Sequence, residues 1–180
     1  MPDKYSSFSE LTKYETQGRD FRVRLREHLC TFAVIAPHGG GIEPGTSEVA
    51  EAIAGDNVSF YAFEGIKPTG NGNLHITSTR FDEPQCIALV MASPWVLSIH
   101  GEDSESKVVF LGGRDEAVLN RLRNSLMAGG FSVETHNSPA LQGCDTANIC
   151  NRGISACGVQ LELSNGLRRC FFESLSRGGR

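Results

Sequence analysis

The chain has no CxxC pair, no block of like charge and no uninterrupted apolar stretch of membrane-spanning length. Without CxxC spacing, a structural zinc cluster is not expected to organise the six cysteines, Cys30, Cys86, Cys144, Cys150, Cys157 and Cys170. Met1 to Tyr14 alternates polar and charged groups and lacks the apolar core of a secretory signal, so the protein is expected to be cytoplasmic where it is made. Release by cell lysis would leave no mark in the sequence. Reduced thiols are expected in that compartment, with one disulfide among Cys144, Cys150 and Cys157 left open by their clustering. The longest near-apolar stretch, Cys86 to Ile99, is broken by Ser93-Pro94 and falls short of the roughly 20 residues a membrane span needs. A net charge of −4 offers little to nucleic acid or an anionic membrane, and neither is expected as a partner. An acidic polymer would need a local cluster of arginines.

What is present is ordinary globular material. With 180 residues, 39% apolar and 21% charged, residues 1–180 read as one domain. Phe8 to Tyr14 suggests a short helix capped by Ser7 or Ser9, and Phe21 to Leu25 alternates apolar and basic residues like a strand near an edge. Thr31 to Ala36 is a continuous apolar run, the mark of a strand buried on both faces, which Pro37 is expected to stop. Thr46 or Ser47 caps a predicted helix through Ile53, with Gly55 just beyond it. Val58 to Phe63 reads as a strand and Leu74 to Phe81 as a short one, with apolar runs at Ile87 to Ala92, Trp95 to Ile99 and Val108 to Leu111. Asp115 to Ala128 is the clearest helix, with Val118, Leu122 and Leu126 on one face; Phe131 to Glu134 and Gly158 to Leu163 complete the strands. Buried strands alternating with capped helices predict an α/β three-layer sandwich around a mostly parallel, mixed sheet. Sites in such sheets form at the carboxyl ends of strands.

His38 and Glu43 flank a glycine-rich turn directly after the first buried run. Imidazole nitrogen and carboxylate oxygen are ligands that a catalytic zinc accepts, usually from three side chains with a fourth position left to water. Gly39-Gly40-Gly41 frees the backbone to bring the two side chains to one point. The bland alternative is a turn histidine and a solvated glutamate, and one such pair is not a strong motif. His100 follows Trp95 to Ile99 on the same predicted rim and ranks first as third ligand. His75 ranks second and would otherwise orient substrate; His136 is near enough to the rim to compete, whereas His28 lies at the wrong end of the sheet. In Gly158 to Ser164, alternation puts Gln160, Glu162 and Ser164 on one face. If helices cover both faces, Glu162 is a buried carboxylate that needs a metal, a proton or a cation, and it becomes a candidate general base. Arg80, Asn151, Arg152 and Arg168 are the candidate anion handles, Arg80 foremost for an oxyanion.

Five blocks together carry a resemblance: Ala36-Pro37-His38-Gly39-Gly40-Gly41-Ile42-Glu43-Pro44-Gly45-Thr46-Ser47-Glu48, Leu74-His75-Ile76-Thr77-Ser78-Thr79-Arg80, Ser98-Ile99-His100-Gly101, Asn148-Ile149-Cys150-Asn151-Arg152-Gly153 and Gly158-Val159-Gln160-Leu161-Glu162-Leu163-Ser164. In this order, over nearly the whole chain, they resemble the poly-γ-glutamate hydrolase family of phages and bacterial genomes, related in fold to zinc carboxypeptidases and aspartoacylases. The resemblance implies one zinc ion held by His38, Glu43 and His100, with Glu162 as general base. It implies cleavage of γ-glutamyl amide bonds in the capsule polymer of some bacilli. From their residue chemistry, Asn151, Arg152, Arg168 and His75 are expected toward the substrate, although Asn151-Arg152 follows His100 where the Asn-Arg pair of carboxypeptidases precedes the last zinc histidine. Four residues separate His38 from Glu43 where carboxypeptidases have two, a longer turn that the glycines supply. A monomer is expected. The alternatives are a zinc deacylase of small N-acyl amino acids, a cysteine hydrolase built on Cys150 or Cys144, and a non-catalytic metal-stabilised protein.

Overall fold

In the computed structural model, which describes residues 3–180, the chain builds one seven-stranded mixed sheet. The strands are β1 (Phe21–Arg26), β2 (Phe32–Gly40), β3 (Ser59–Gly65), β4 (Trp95–Glu102), β5 (Val108–Gly113), β6 (Ser132–Glu134) and β7 (Val159–Ser164). Their spatial order is β1-β3-β2-β4-β7-β5-β6. The β1–β3 and β5–β7 pairs are antiparallel and the other four are parallel. The helices are α1 (Phe8–Leu11), α2 (Thr46–Ala54), α3 (Pro84–Ala92), α4 (Glu116–Ala128) and α5 (Asn165–Arg168).

Two apolar layers sandwich the sheet. On one face Ile35, Tyr61, Phe63 and Val96 pack with Leu89 and Val90 of α3 and with Phe21 and Phe81. On the other, Val34, Ala36, Leu97, Ile99 and Leu161 meet Ala50 and Ala54 of α2 and the half-buried Val118, Leu122 and Leu126 of α4. Burying each large side chain contributes about 1.5–3 kcal/mol. From β2 the chain crosses by α2 to β3 on one side, then by α3 to β4 on the other side of β2. The strand order reverses here, the second crossover passing back over β2, and this leaves a crevice at the carboxyl ends of β2 and β4, where α/β sheets bind ligands.

Three local expectations are corrected. Leu74 to Phe81 is no strand: a 3₁₀ turn at Asn71–Leu74 leads into irregular chain, and its Leu74, Ile76 and Phe81 bury into the first apolar layer without pairing. Ile87 to Ala92 lies in α3, because the Glu83 carboxylate accepts from Cys86 N and Pro84 starts the helix; an all-apolar run by itself does not separate strand from helix. Pro37 does not end β2, which runs on to Gly40 through a β-bulge. Ala36 faces Ala62 while Gly39 faces Glu64, so β2 spends one residue more than β3 across this interval.

Candidate metal centre

The bulge decides where His38 points. Strict alternation would put His38 on the face of Val34 and Ala36; one extra residue turns it to the opposite face, that of Ser98 and His100. On β4, Ser98 and His100 alternate with Leu97 and Ile99 and share that face. Parallel register sets Ser98 beside Gln160 and His100 beside Glu162. Glu43 arrives from the turn that follows β2. Its N–H donates to His38 O (2.9 Å), its carbonyl accepts from Thr46 Oγ1 (2.8 Å), and its Oε2 accepts from Gly101 N (2.8 Å). Thr46 and Ser47 are buried inside α2 and the N-cap is Gly45, since both hydroxyls are engaged by this turn: Ser47 Oγ accepts from Gly40 N. Gly40 has φ +64°, and a Cβ there would lie 2.5 Å from Gly65 O, so only glycine fits.

Around this point the structure gathers several groups able to offer a lone pair to a metal ion. His38 Nε2 lies 2.9 Å from the Ile76 carbonyl, which can only accept, so Nε2 carries a hydrogen. His38 Nδ1 then faces His100 Nδ1 at 3.1 Å and Glu43 Oε1 at 3.2 Å. His100 Nε2 is held by Ser98 Oγ (2.8 Å) and its Nδ1 is 3.9 Å from Glu43 Oε2. His75 stacks on His38 with ring centroids 4.0 Å apart, and its Nε2 lies 3.9 Å from Glu43 Oε1. Donor atoms of His38, Glu43 and His75 also lie within 4.8 Å of one another. The edges of a zinc tetrahedron with bonds near 2.0–2.1 Å measure about 3.3 Å, so the spacing and chemistry of this set fit a zinc ion.

Electrostatics follow from burial. Burial alone favours neutral His38, but the charge and hydrogen bond of Glu43 outweigh it and raise its pKa. Glu43 would be raised by burial, yet His38 and His100 hold it at about 2. His100, buried beside His38, is pushed down to about 3. Burial, then the Glu43 and Glu102 charges, raise the Glu162 carboxyl well above its ordinary range. Glu162 Oε1 accepts from Gln160 Nε2 (2.7 Å), and Gln160 Oε1 accepts from Asn148 Nδ2 (3.0 Å). A cavity of about 200 Å³ is lined by His38, Glu43, His75, His100, Gln160 and Glu162. It shares Glu43 and His75 with a neighbouring hollow of about 660 Å³.

The structure thus brings together His38, Glu43, His75, His100 and Glu162. It does not bring the expected anion handles with them. Arg152 donates to the carbonyls of Ala147, Phe81 and Thr79, tying two loops together. Asn151 gives Nδ2 to Gly143 O and Asp145 O and accepts from Gly158 N through Oδ1, which uses its amide fully. Arg80 is bound to Asp3 (2.6 Å) and lines neither hollow. Arg168 is buried and gives its guanidinium to the carbonyls of Leu163, Pro44 and Glu102; of the four it alone reaches a hollow that Glu43 lines. His136 packs on Phe110 near the β6 edge. Cys150 is buried, with its thiol pushed up to about 12 by desolvation, a poor nucleophile. Sequence reasoning missed Asp3, Ser98 and Gln160 as partners of site residues. Ser98 and Gln160 were discoverable, each two positions from a candidate on the same strand face; no sequence signal links Asp3 to His75.

A cleft of imidazoles and carboxylates at the switch point of an open α/β sheet defines the class. A family model described as poly-gamma-glutamate hydrolase matches residues 5–180, and this chain belongs to that family. It is 37% identical over 179 residues to the SPbeta prophage-derived UPF0714 protein YoqZ of Bacillus subtilis (strain 168), covering 99% of this chain and 65% of that protein. It is 37% identical over 171 residues to the UPF0714 protein YndL of the same organism, covering 94% of this chain and 67% of that protein. The chain therefore spans about two thirds of the length of these relatives. Among solved structures, a bacteriophage poly-gamma-glutamate hydrolase superposes with TM-score 0.94 at 32% identity, covering 99% of this chain and 87% of that one. YNDL in its apo, zinc-free form superposes with TM-score 0.91 at 37% identity, covering 97% of this chain and 87% of that one. Among the described residues no helix is long and apolar enough to cross a membrane.

Proposed function

We propose that this chain is a zinc-dependent hydrolase that cleaves γ-glutamyl amide bonds of poly-γ-glutamate as a single domain. His38, Glu43 and His100 would hold one zinc ion, and Glu162 would act as general base. Kinship with zinc carboxypeptidases belongs to the same proposal. The observation that carries it is the convergence of His38 Nδ1, His100 Nδ1 and the Glu43 carboxylate at 3.1–3.9 Å. Two imidazoles and a carboxylate at that spacing form a set that zinc can occupy in place of the His38 proton. Family membership supplies the substrate class. When bound, zinc would lower the pKa of water toward neutrality, polarise an amide carbonyl and draw Glu162 back toward its ionised form.

The chain's own residues supply the rest. Gln160 holds Glu162 Oε1, leaving Oε2 to take a proton from water and pass it to the departing amine. A carboxyl with raised proton affinity suits that shuttle. Ser98, the Ile76 carbonyl and Gly101 N fix the orientations of His100, His38 and Glu43. His75, on the wall shared by the two hollows, orients substrate, and Arg168 contributes positive charge along the groove.

The test is polymer chain length by gel filtration. Protein loaded with one equivalent of zinc should shorten poly-γ-glutamate, a chelator should stop it and added zinc should restore it. Intact polymer with zinc stoichiometrically bound would sink the reading. Turnover of small N-acyl glutamate without polymer shortening would select the deacylase instead.

A further inference from the structure

Asp3 is a carboxylate that the chemistry above leaves without a role, yet its side chain is only 4% exposed. Its Oδ1 lies 2.6 Å from His75 Nδ1, and its Oδ2 accepts from Thr77 N (2.7 Å) and Arg80 Nη2 (2.6 Å). The segment carrying it is anchored. Tyr5 is buried with its hydroxyl donating to Glu15 Oε1 (2.7 Å), and Phe8 N donates to Asp82 Oδ1 (2.6 Å). Asp3 and Lys4 line the larger hollow together with Glu43 and His75. The far side of His75 presents Nε2 to Glu43 Oε1 at 3.9 Å.

We propose that Asp3 is a positioning residue for this centre: its carboxylate pins His75 as the tautomer with hydrogen on Nδ1 and turns a bare Nε2 toward the cleft. A carboxylate ionised between two donors can only accept from the third partner, so the imidazole must supply the Nδ1 hydrogen. Thr77 N and Arg80 hold the carboxylate in place, so the His75 ring cannot swing without breaking a three-bonded anchor. Its effect on turnover rests on the hydrolase reading above; the tautomer does not.

Asp3→Asn tests this with the shape kept. Asparagine retains an oxygen for Thr77 N and Arg80 and must then turn its NH2 toward His75 Nδ1, which moves the ring hydrogen to Nε2. The reverse amide flip would aim two hydrogens at two donors. Long-range ¹H–¹⁵N NMR of the metal-free protein should report Nδ1–H at His75 in wild type and Nε2–H in Asp3→Asn. With zinc and polymer, Asp3→Asn should lower kcat roughly 10- to 100-fold, the range for losing a carboxylate behind a site histidine, with KM within about twofold. Asp3→Asn placed on His75→Ala should lose nothing further. A wild-type Nε2–H tautomer, unchanged kcat after the tautomer has reversed, or a further loss on His75→Ala would each overturn the proposal. Wild-type protein that binds zinc and cleaves no polymer would defeat the hydrolase reading alone, because the tautomer measurement still decides the role of Asp3.

Discussion

Glu162→Gln should make the metal-free protein more stable while removing its activity. Glu162 is 3% exposed, and burial beside the Glu43 and Glu102 charges raises its carboxyl well above the ordinary 4.5. The sign follows from linkage. Below pH 4.5 folded and unfolded chains both hold the proton, and the group costs nothing. Above 4.5 the unfolded chain releases it while the folded chain keeps it, so stability falls with rising pH by about 1.4 kcal/mol per unit until the raised value is passed. Glutamine of the same shape still accepts from Gln160 Nε2 at the Oε1 position and has no proton to lose. For a chain of this size 1 kcal/mol moves Tm by about 2–4 °C, so the variant should gain roughly 3–6 °C on wild type for each pH unit above 4.5 in that window. The assay is differential scanning calorimetry in chelator at pH 4, 5, 6 and 7, followed by polymer shortening with zinc. Zinc binding should persist and turnover should fall at least about 100-fold, the low end for a lost general base. Wild-type and variant Tm curves that run parallel across the series would refute the account of Glu162 as a buried, proton-holding carboxyl; substantial remaining hydrolysis would remove it from the base role.

Other outcomes follow from the same geometry. Because the Glu43 charge holds the His38 pKa up, zinc must displace a proton from His38: in the Glu162→Gln background, calorimetry in buffers of different ionisation enthalpy should report one proton released per zinc at pH 6, and none would contradict it. Glu43→Gln should shift the His38 NMR titration to lower pH, and a shift upward would reverse the sign assigned here. His100→Ala should weaken zinc binding by at least about 100-fold on the loss of one of three ligands, whereas retained stoichiometric zinc would transfer the third position to His75. Arg152→Ala should lower stability by roughly 0.5–1.5 kcal/mol for each of the two part-buried hydrogen bonds lost, those to Phe81 O and Thr79 O, with KM for polymer unchanged; a large rise in KM would restore Arg152 as an anion handle.

Local patterns were enough to determine the buried strand before His38, the long amphipathic helix ending at Gly129, the glycine turn carrying Glu43, and the face of β7 that presents Glu162. Each depends on residues a few positions apart, and periodicity or turn chemistry records those directly. The tertiary structure alone decided the direction of His38, since the bulge that reverses its face is defined against β3 and is invisible along β2. It also turned the expected Leu74 to Phe81 strand into an unpaired segment, anchored by buried Leu74, Ile76 and Phe81, that offers Ile76 O to His38. The fate of the arginines was likewise hidden: Arg152 and Arg168 end on backbone carbonyls, and the sequence does not record which carbonyls lack partners after folding. Asp3 meets His75 from 72 residues away. Contacts of that span arise from how separate elements pack, and packing is a property of the whole sheet rather than of any segment within it.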